Sequence, residues 1–213
     1  MPYSATRSLV SRLIGVCALV AVALTMAIAA SPAGAQLMSA SYRFLEAVRD
    51  RDGAEVEELL TANARIVNTR EATSGKTALH IVIERQDATW LRFLLQRGAD
   101  ANAADRTGLT PLLSAAQVGF TEGVATLLDR GARVNATNAS GETALHIAVQ
   151  RRDITMVRAL MAAGANPDQT DNVTGRSARD YATEDRRGAA VLAALDARAP
   201  RAATNGPVVA GPN

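Results

Sequence analysis

Apolar residues along the chain come in short bursts at helical spacing, each closed by a glycine and set off by polar turn residues. The plainest is Gly141-Glu142-Thr143-Ala144-Leu145-His146-Ile147-Ala148, an amphipathic segment between glycines that runs on to Ala162-Ala163-Gly164-Ala165-Asn166. The same pattern returns upstream. Gly108-Leu109-Thr110-Pro111-Leu112 leads to Arg130-Gly131-Ala132-Arg133-Val134-Asn135. Gly75-Lys76-Thr77-Ala78-Leu79-His80 leads to Arg97-Gly98-Ala99-Asp100-Ala101-Asn102. The lead glycines at 75, 108 and 141 set a step of 33 residues, and a fourth copy opens at Gly175, one residue late. A fixed period of this length marks a repeat architecture.

Each copy predicts two helices. In the first full repeat, 73–105, Thr77 caps a helix with apolar positions Leu79, Val82 and Ile83. Asp87 caps a second through Trp90, Leu91, Phe93, Leu94 and Leu95, and Gly98 stops it. The second repeat, 106–138, has Pro111 in the first helical turn, where proline is favoured. The third, 139–172, uses Thr143 and Asp153 as caps and Gly164 as stop. Residues 36–72 read as an N-terminal capping repeat: Asp52-Gly53-Ala54-Glu55 is a capping-box pattern, and Asn63 is expected as a left-handed helix stop. Residues 173–197 read as a C-terminal capping repeat, with Arg179 in place of the core leucine and Asp180 in place of histidine. Helices of two or three turns do not persist alone, so they must stack. Gly123 is the counterpart of Trp90 and is expected to leave room for its indole.

Residues 1–35 have the layout of a secretory signal peptide. Arg7 and Arg12 precede an uncharged apolar run from Leu13 to Ala30, and Ala33-Gly34-Ala35 offers a cleavage site before Gln36. The run also reaches membrane-spanning length, so an uncleaved anchor is the alternative. The formal net charge is +2, and Arg7 and Arg12 account for it. The mature chain is then near neutral, which argues against nucleic acid as a partner. The single cysteine, Cys17, lies in the leader; its absence from the mature chain suits a periplasmic or secreted destination. Residues 198–213 carry Pro200, Gly206, Pro207, Gly211 and Pro212 without periodicity, and a disordered tail is expected.

Reactive chemistry has little footing. His80 and His146 are the only histidines and sit two repeats apart. At about 8–10 Å per packed helix they are too distant to share a metal ion, whose ligands lie within about 2.1 Å. Each is expected to hydrogen-bond at its own helix opening. Gly75-Lys76-Thr77 imitates the end of a phosphate loop, but Arg70 stands where that motif needs glycine. No nucleophile has a base and an orienting group beside it, so no catalytic residue, cofactor or metal is expected. Asn135, Asn138 and Asn172 open Asn-x-Ser/Thr triplets, read as turn residues.

These residues resemble the ankyrin repeat family, with its Gly-x-Thr-Pro-Leu-His-x-Ala-Ala opening and Gly-Ala-Asp-x-Asn close. Gly108–Leu112 and Gly98–Asn102 match most closely, and Thr77–His80 and Thr143–His146 match with alanine for proline. The resemblance covers roughly 42–197. It departs where Arg51, Gln86 and Arg152 replace the glycine between helices, kept only at Gly119, and where Leu113 replaces histidine. It implies an all-α ankyrin-repeat solenoid of helix-turn-helix pairs with β-turn fingers, binding a protein partner on the concave surface of finger tips and first helices. Carried over by position, that surface holds Thr73, Ser74, Lys76, Glu84 and Arg85, then Arg106, Thr107, Leu109, Gln117 and Val118. It continues through Ala139, Ser140, Glu142, Gln150, Arg151 and Arg176. Five basic residues against two acidic ones make it a mildly basic strip. The implied function is a non-catalytic scaffold or adaptor exported to the periplasm. An inner-membrane-anchored assembly factor with an uncleaved leader, or a secreted effector binding a host protein, are the alternatives.

Overall fold

The structure is a computed structural model that describes residues 39–197. The expected leader (1–35) and tail (198–213) lie outside the described residues. The chain divides into two compact units, 1–43 and 44–213. In the first, Ser39 opens a helix by accepting the Tyr42 N–H on its carbonyl (2.9 Å) and its hydroxyl (3.2 Å).

Ten α-helices and no strand occur among the described residues: α1 (Ala40–Asp50), α2 (Gly53–Ala62), α3 (Ala78–Glu84), α4 (Ala88–Gln96), α5 (Pro111–Val118), α6 (Thr121–Asp129), α7 (Ala144–Gln150), α8 (Ile154–Ala162), α9 (Ala178–Glu184) and α10 (Ala189–Asp196). A short 3-10 helix, Ala64–Asn68, follows α2. From α3 on, the odd-numbered helices stack on one another as one layer, the even-numbered helices as a second, and each pair packs internally. The first layer is covered on nearly every side: Ala78 through Ile83 are all buried in α3, and Ala144 through Val149 in α7. Leu79, Leu112 and Leu145 repeat at one position with almost no exposure, each contributing about 1.5–3 kcal/mol by burial. Buried Ala78, Ala144 and Ala178 let neighbouring backbones approach.

The capping residues explain where helices begin. Asp52, Asp87 and Asp153 each accept the N–H three residues on, at 2.9–3.1 Å. Thr110 does the same for Leu113. Asn63 departs from expectation. It is extended (φ −154°), and its side chain instead caps the 3-10 helix by accepting from the Arg65 N–H. The late fourth glycine is also explained. The first and fourth fingers close from Glu71 to Lys76 and from Asp171 to Arg176, one residue longer than Asp105–Leu109 and Asn138–Glu142.

Polar ties join each repeat to the next. The Asn68 amide donates to Gly98 O (3.1 Å) and accepts from Asp100 N–H (2.8 Å). Asn102 repeats this on Gly131 O and Arg133 N–H, and Asn135 on Gly164 O and Asn166 N–H. Each asparagine thus satisfies a carbonyl left open at a helix stop one repeat ahead. His80 works similarly. Its Nδ1 accepts from Thr77 N–H (3.2 Å), which leaves Nε2 to donate to Leu109 O (2.9 Å) in the next finger. His146 bridges Thr143 to Arg176 O in the same way.

Arg51, Gln86 and Arg152 hold left-handed conformations, with φ of 60°, 55° and 57°. That geometry costs a non-glycine residue about 1–2 kcal/mol. Each side chain also reaches forward: Arg51 Nε lies 3.4 Å from Asp87, Gln86 Nε2 donates to Val118 O (2.9 Å), and Arg152 grips Asp185 with two nitrogens. That grip lowers the pKa of the half-buried Asp185 carboxyl to about 2. Gly123 makes room for a different aromatic than expected. A Cβ there would strike the Phe120 ring, so the ring filling the space is Phe120 and not Trp90.

Two predictions follow from this bonding. Gly141 and Gly164 are both left-handed, but a Cβ on Gly141 would sit 2.8 Å from Asn172 N while one on Gly164 meets nothing within 4 Å. Gly164→Ala should cost about 1–2 kcal/mol, and Gly141→Ala clearly more; equal losses in denaturant melts would remove the close approach as a constraint. Burial pushes the His80 imidazole below its ordinary range, while the Leu109 carbonyl opposes this. The unfolded chain therefore takes up this proton first as pH falls below about 6.5, and stability drops. The melting temperature should fall between about pH 7.5 and 5.5, with a shallower slope in His80→Gln. An unchanged slope would assign the effect elsewhere.

Candidate functional site

The residues carried over from the sequence form equivalent rows across the repeats. At the openings of α3, α5, α7 and α9 stand Lys76, Leu109, Glu142 and Arg176; near their ends stand Glu84, Gln117, Gln150 and Glu184. Ion pairs close both ends of this array. Lys76 meets Glu84, whose hydrogen bond holds the ammonium above the ordinary lysine range. Arg176 Nη1 meets Glu184 Oε2 at 2.8 Å. Both pairs join residues eight apart, across one short helix.

Arg85 is committed to the interior of the fold. Its side chain is 19% exposed, and Nη1 donates to Val48 O (2.6 Å) and Arg49 O (3.3 Å), carbonyls at the end of α1. The guanidinium stands 5.5 Å from the Trp90 ring, and Nε lies 3.4 Å from Asp87. Burial lowers its pKa below the ordinary arginine range. Arg151 reaches back to Gln117 O (3.0 Å) and covers Gly119, where a Cβ would strike its Nη2. Glycine survives between helices here because the next repeat's arginine occupies the space. Arg106 donates its N–H to Ser74 O and has no ion-pair partner among the described residues.

Between the two end pairs the exposed cations are Arg106 and Arg151, and most other polar groups are engaged locally. Thr107 bonds Asp105, Ser140 N–H bonds Asn138, and Glu142 accepts from the Asn138 amide. Leu109 and Val118 are half-buried against the core, while Gln117 and Gln150 are exposed. Thr73 and Ala139 are exposed finger residues, and Ser74 donates to Glu71. The structure therefore thins the basic strip: Lys76 and Arg176 are paired and Arg85 is withdrawn, which leaves Arg106 and Arg151 as the exposed cations of a largely polar centre.

Sequence reasoning missed two members. Glu184 was signalled only by its eight-residue offset from Arg176. Val173, 75% exposed, tips the longer fourth finger. That finger is fixed by buried Asp171, which accepts from Thr174 Oγ1 (2.7 Å), Tyr181 OH (2.8 Å) and Val173 N–H (2.8 Å). These bonds, Thr174 foremost, hold its carboxyl well below the usual carboxylate range. Among the described residues, no three His, Cys, Asp or Glu side chains are grouped to share a metal ion. The arrangement offers an extended contact surface.

Profiles of ankyrin repeats match residues 44–138 (three copies) and 127–182 (many copies). An ankyrin repeat protein of Fowlpox virus (strain NVSL) is 38% identical over 61 residues, which is 29% of this chain and 18% of that protein. The nuclear factor NF-kappa-B p105 subunit of Gallus gallus is 41% identical over 71 residues, 33% of this chain and 7% of that protein. Protein phosphatase 1 regulatory subunit 12A of Rattus norvegicus is 36% identical over 80 residues, 34% of this chain and 8% of that protein. The chain spans less than a fifth of the length of each of these curated relatives. Period, helix pairing and these matches agree: the chain belongs to the ankyrin repeat family and is built as a protein–protein interaction module.

Proposed function

We propose that this array is an exported, non-catalytic adaptor that holds a protein partner against its fingers and first-layer helices. The observation that carries the reading is the largely polar centre of that face, where Arg106 and Arg151 are the exposed cations. Thr107, Leu109, Gln117, Val118, Ser140 and Gln150 present hydroxyls, amides and apolar edges between the Lys76–Glu84 and Arg176–Glu184 pairs. A peptide segment laid across it exchanges water for hydrogen bonds worth about 0.5–1.5 kcal/mol each. The signal-peptide layout of residues 1–35 supports a periplasmic or secreted location. The length of the Leu13–Ala30 run favours a second reading, in which an uncleaved leader tethers the array at the inner membrane.

The test uses the full chain with a C-terminal tag, crosslinked in cells and compared with a Thr107→Glu, Gln117→Glu, Gln150→Glu variant. Arg85 stays unchanged because it holds the end of α1. A protein captured by the wild type and lost by an equally stable variant is the expected result; equal capture would move the site off this face. Intact mass should place the mature N-terminus at Gln36, and a retained leader would replace export with anchoring.

A further inference from the structure

We propose that a cleft between α2 and α4, in the second helix layer, is a separate docking site for an apolar side chain flanked by lysine or arginine. The cleft is lined by Gly53, Glu57, Thr89, Trp90 and Phe93 and has a volume of about 210 Å³. An apolar cavity of about 150 Å³ already takes a benzene ring. Its wall is the edge-to-face pair Trp90–Phe93, with centroids 5.6 Å apart at 71°. Both rings are half-buried. Gly53 deepens it, because nothing stands within 4 Å of where its Cβ would be.

This wall is particular to one repeat. The counterparts of Trp90 are Gly123 and Met156, and those of Phe93 are Thr126 and Ala159. Core packing does not require the pair, since the other repeats stack without it.

Charge selects the occupant. α2 carries Glu55, Glu57 and Glu58 behind the Asp52 cap, and no basic residue. The neighbouring cations are already engaged: Arg97 grips Glu57 and lies 4.9 Å from the Phe93 ring, Arg92 pairs with Glu122, and Arg85, 5.5 Å from the Trp90 ring, bonds Val48 O and lies beside Asp87. Glu58 is exposed, with no ion-pair partner among the described residues. An apolar side chain entering between the rings thus brings its neighbours against an acidic helix. Complementary basic residues are favoured there and acidic ones repelled.

Trp90 is the only tryptophan, so its fluorescence reports the cleft directly. The full chain is titrated with acetyl-Arg-Lys-Leu-Arg-Lys-amide, with the central leucine changed to alanine, and with acetyl-Glu-Asp-Leu-Glu-Asp-amide. A saturable blue shift is expected with the first peptide, and roughly tenfold weaker binding with each of the others. Gly53→Gln fills the cleft at a helix position where glycine is unfavourable, so it should abolish the shift while keeping or raising the melting temperature. The Thr107→Glu, Gln117→Glu, Gln150→Glu variant should respond as wild type, which separates this site from the first-layer face. No saturable shift, an equal response to the alanine peptide, or a response that survives Gly53→Gln overturns the proposal. So does a fluorescence change on deleting 198–213 without peptide, which would make the chain's own tail the occupant. Concentration-dependent dimerisation abolished by Gly53→Gln would name a second copy instead.

Discussion

No described helix exceeds eleven residues, and a helix that short loses its hydrogen bonds to water when isolated. Order is therefore a property of neighbours. Apolar burial supplies most of the stabilisation, and a set of polar side chains fixes the register. These ties mostly point one way along the chain. Asn68, Asn102 and Asn135 reach the next helix stop, His80 and His146 the next finger, and Arg51, Gln86 and Arg152 the next pair of helices. The last repeat replaces such groups with self-satisfied ones. Asp168 stands at the position of Asn102 and Asn135 and pairs with Arg179, Asp180 accepts from Ser177, and Arg179 also pairs with Asp196. The array ends by turning its polar atoms inward as well as by presenting a polar face.

The same ties decide what is left for binding. Arg85 and Arg151 belong to the surface by position but reach backward to main-chain carbonyls of the preceding repeat. Lys76 and Arg176 are closed by glutamates on their own helices. In the proposed reading, recognition falls to amides, hydroxyls, apolar edges and the two exposed arginines, Arg106 and Arg151, at the centre of the first layer. On the second layer the proposed site is one aromatic pair that the stacking pattern does not demand. The two faces differ in chemistry, one polar, the other apolar beside an acidic helix.

Much of the architecture was legible because a repeat writes its rules several times. Glycine spacing, Thr and Asp caps and the burst pattern located the helices. The histidines were placed at their helix openings, although the carbonyl each one meets in the next finger was not foreseen. What escaped was set by single events in three dimensions. Asn63 closes one helix through its N–H and starts another with its side chain, and does so with an extended backbone instead of a left-handed one. Gly123 was matched to the wrong ring because Trp90 shares its column, whereas Phe120 shares its turn. The basic strip is thinner than its sequence suggests because a count of charges does not know that Arg85 has carbonyls to meet, or that Glu184 lies opposite Arg176. The two-ring cleft could not be read from spacing, since it depends on the missing side chain of Gly53, a helix away.

Leu113 stands where its equivalents are histidine, and the seam it faces is different in kind. Finger-to-finger backbone bonds join Ser74 to Arg106 and Ser140 to Asn172, yet among the described residues none joins the fingers between. Glu142 O, which would meet the absent imidazole, is bonded back to Asn138. Asn135, Thr121 and Arg151 still cross this seam, and helix packing continues through it. Two missing bonds at about 0.5–1.5 kcal/mol each make this the most compliant joint between full repeats. The array is mechanically two stiff halves on a softer middle, and the polar centre of its first-layer face lies across that joint. The angle between the halves can thus adjust without breaking either one.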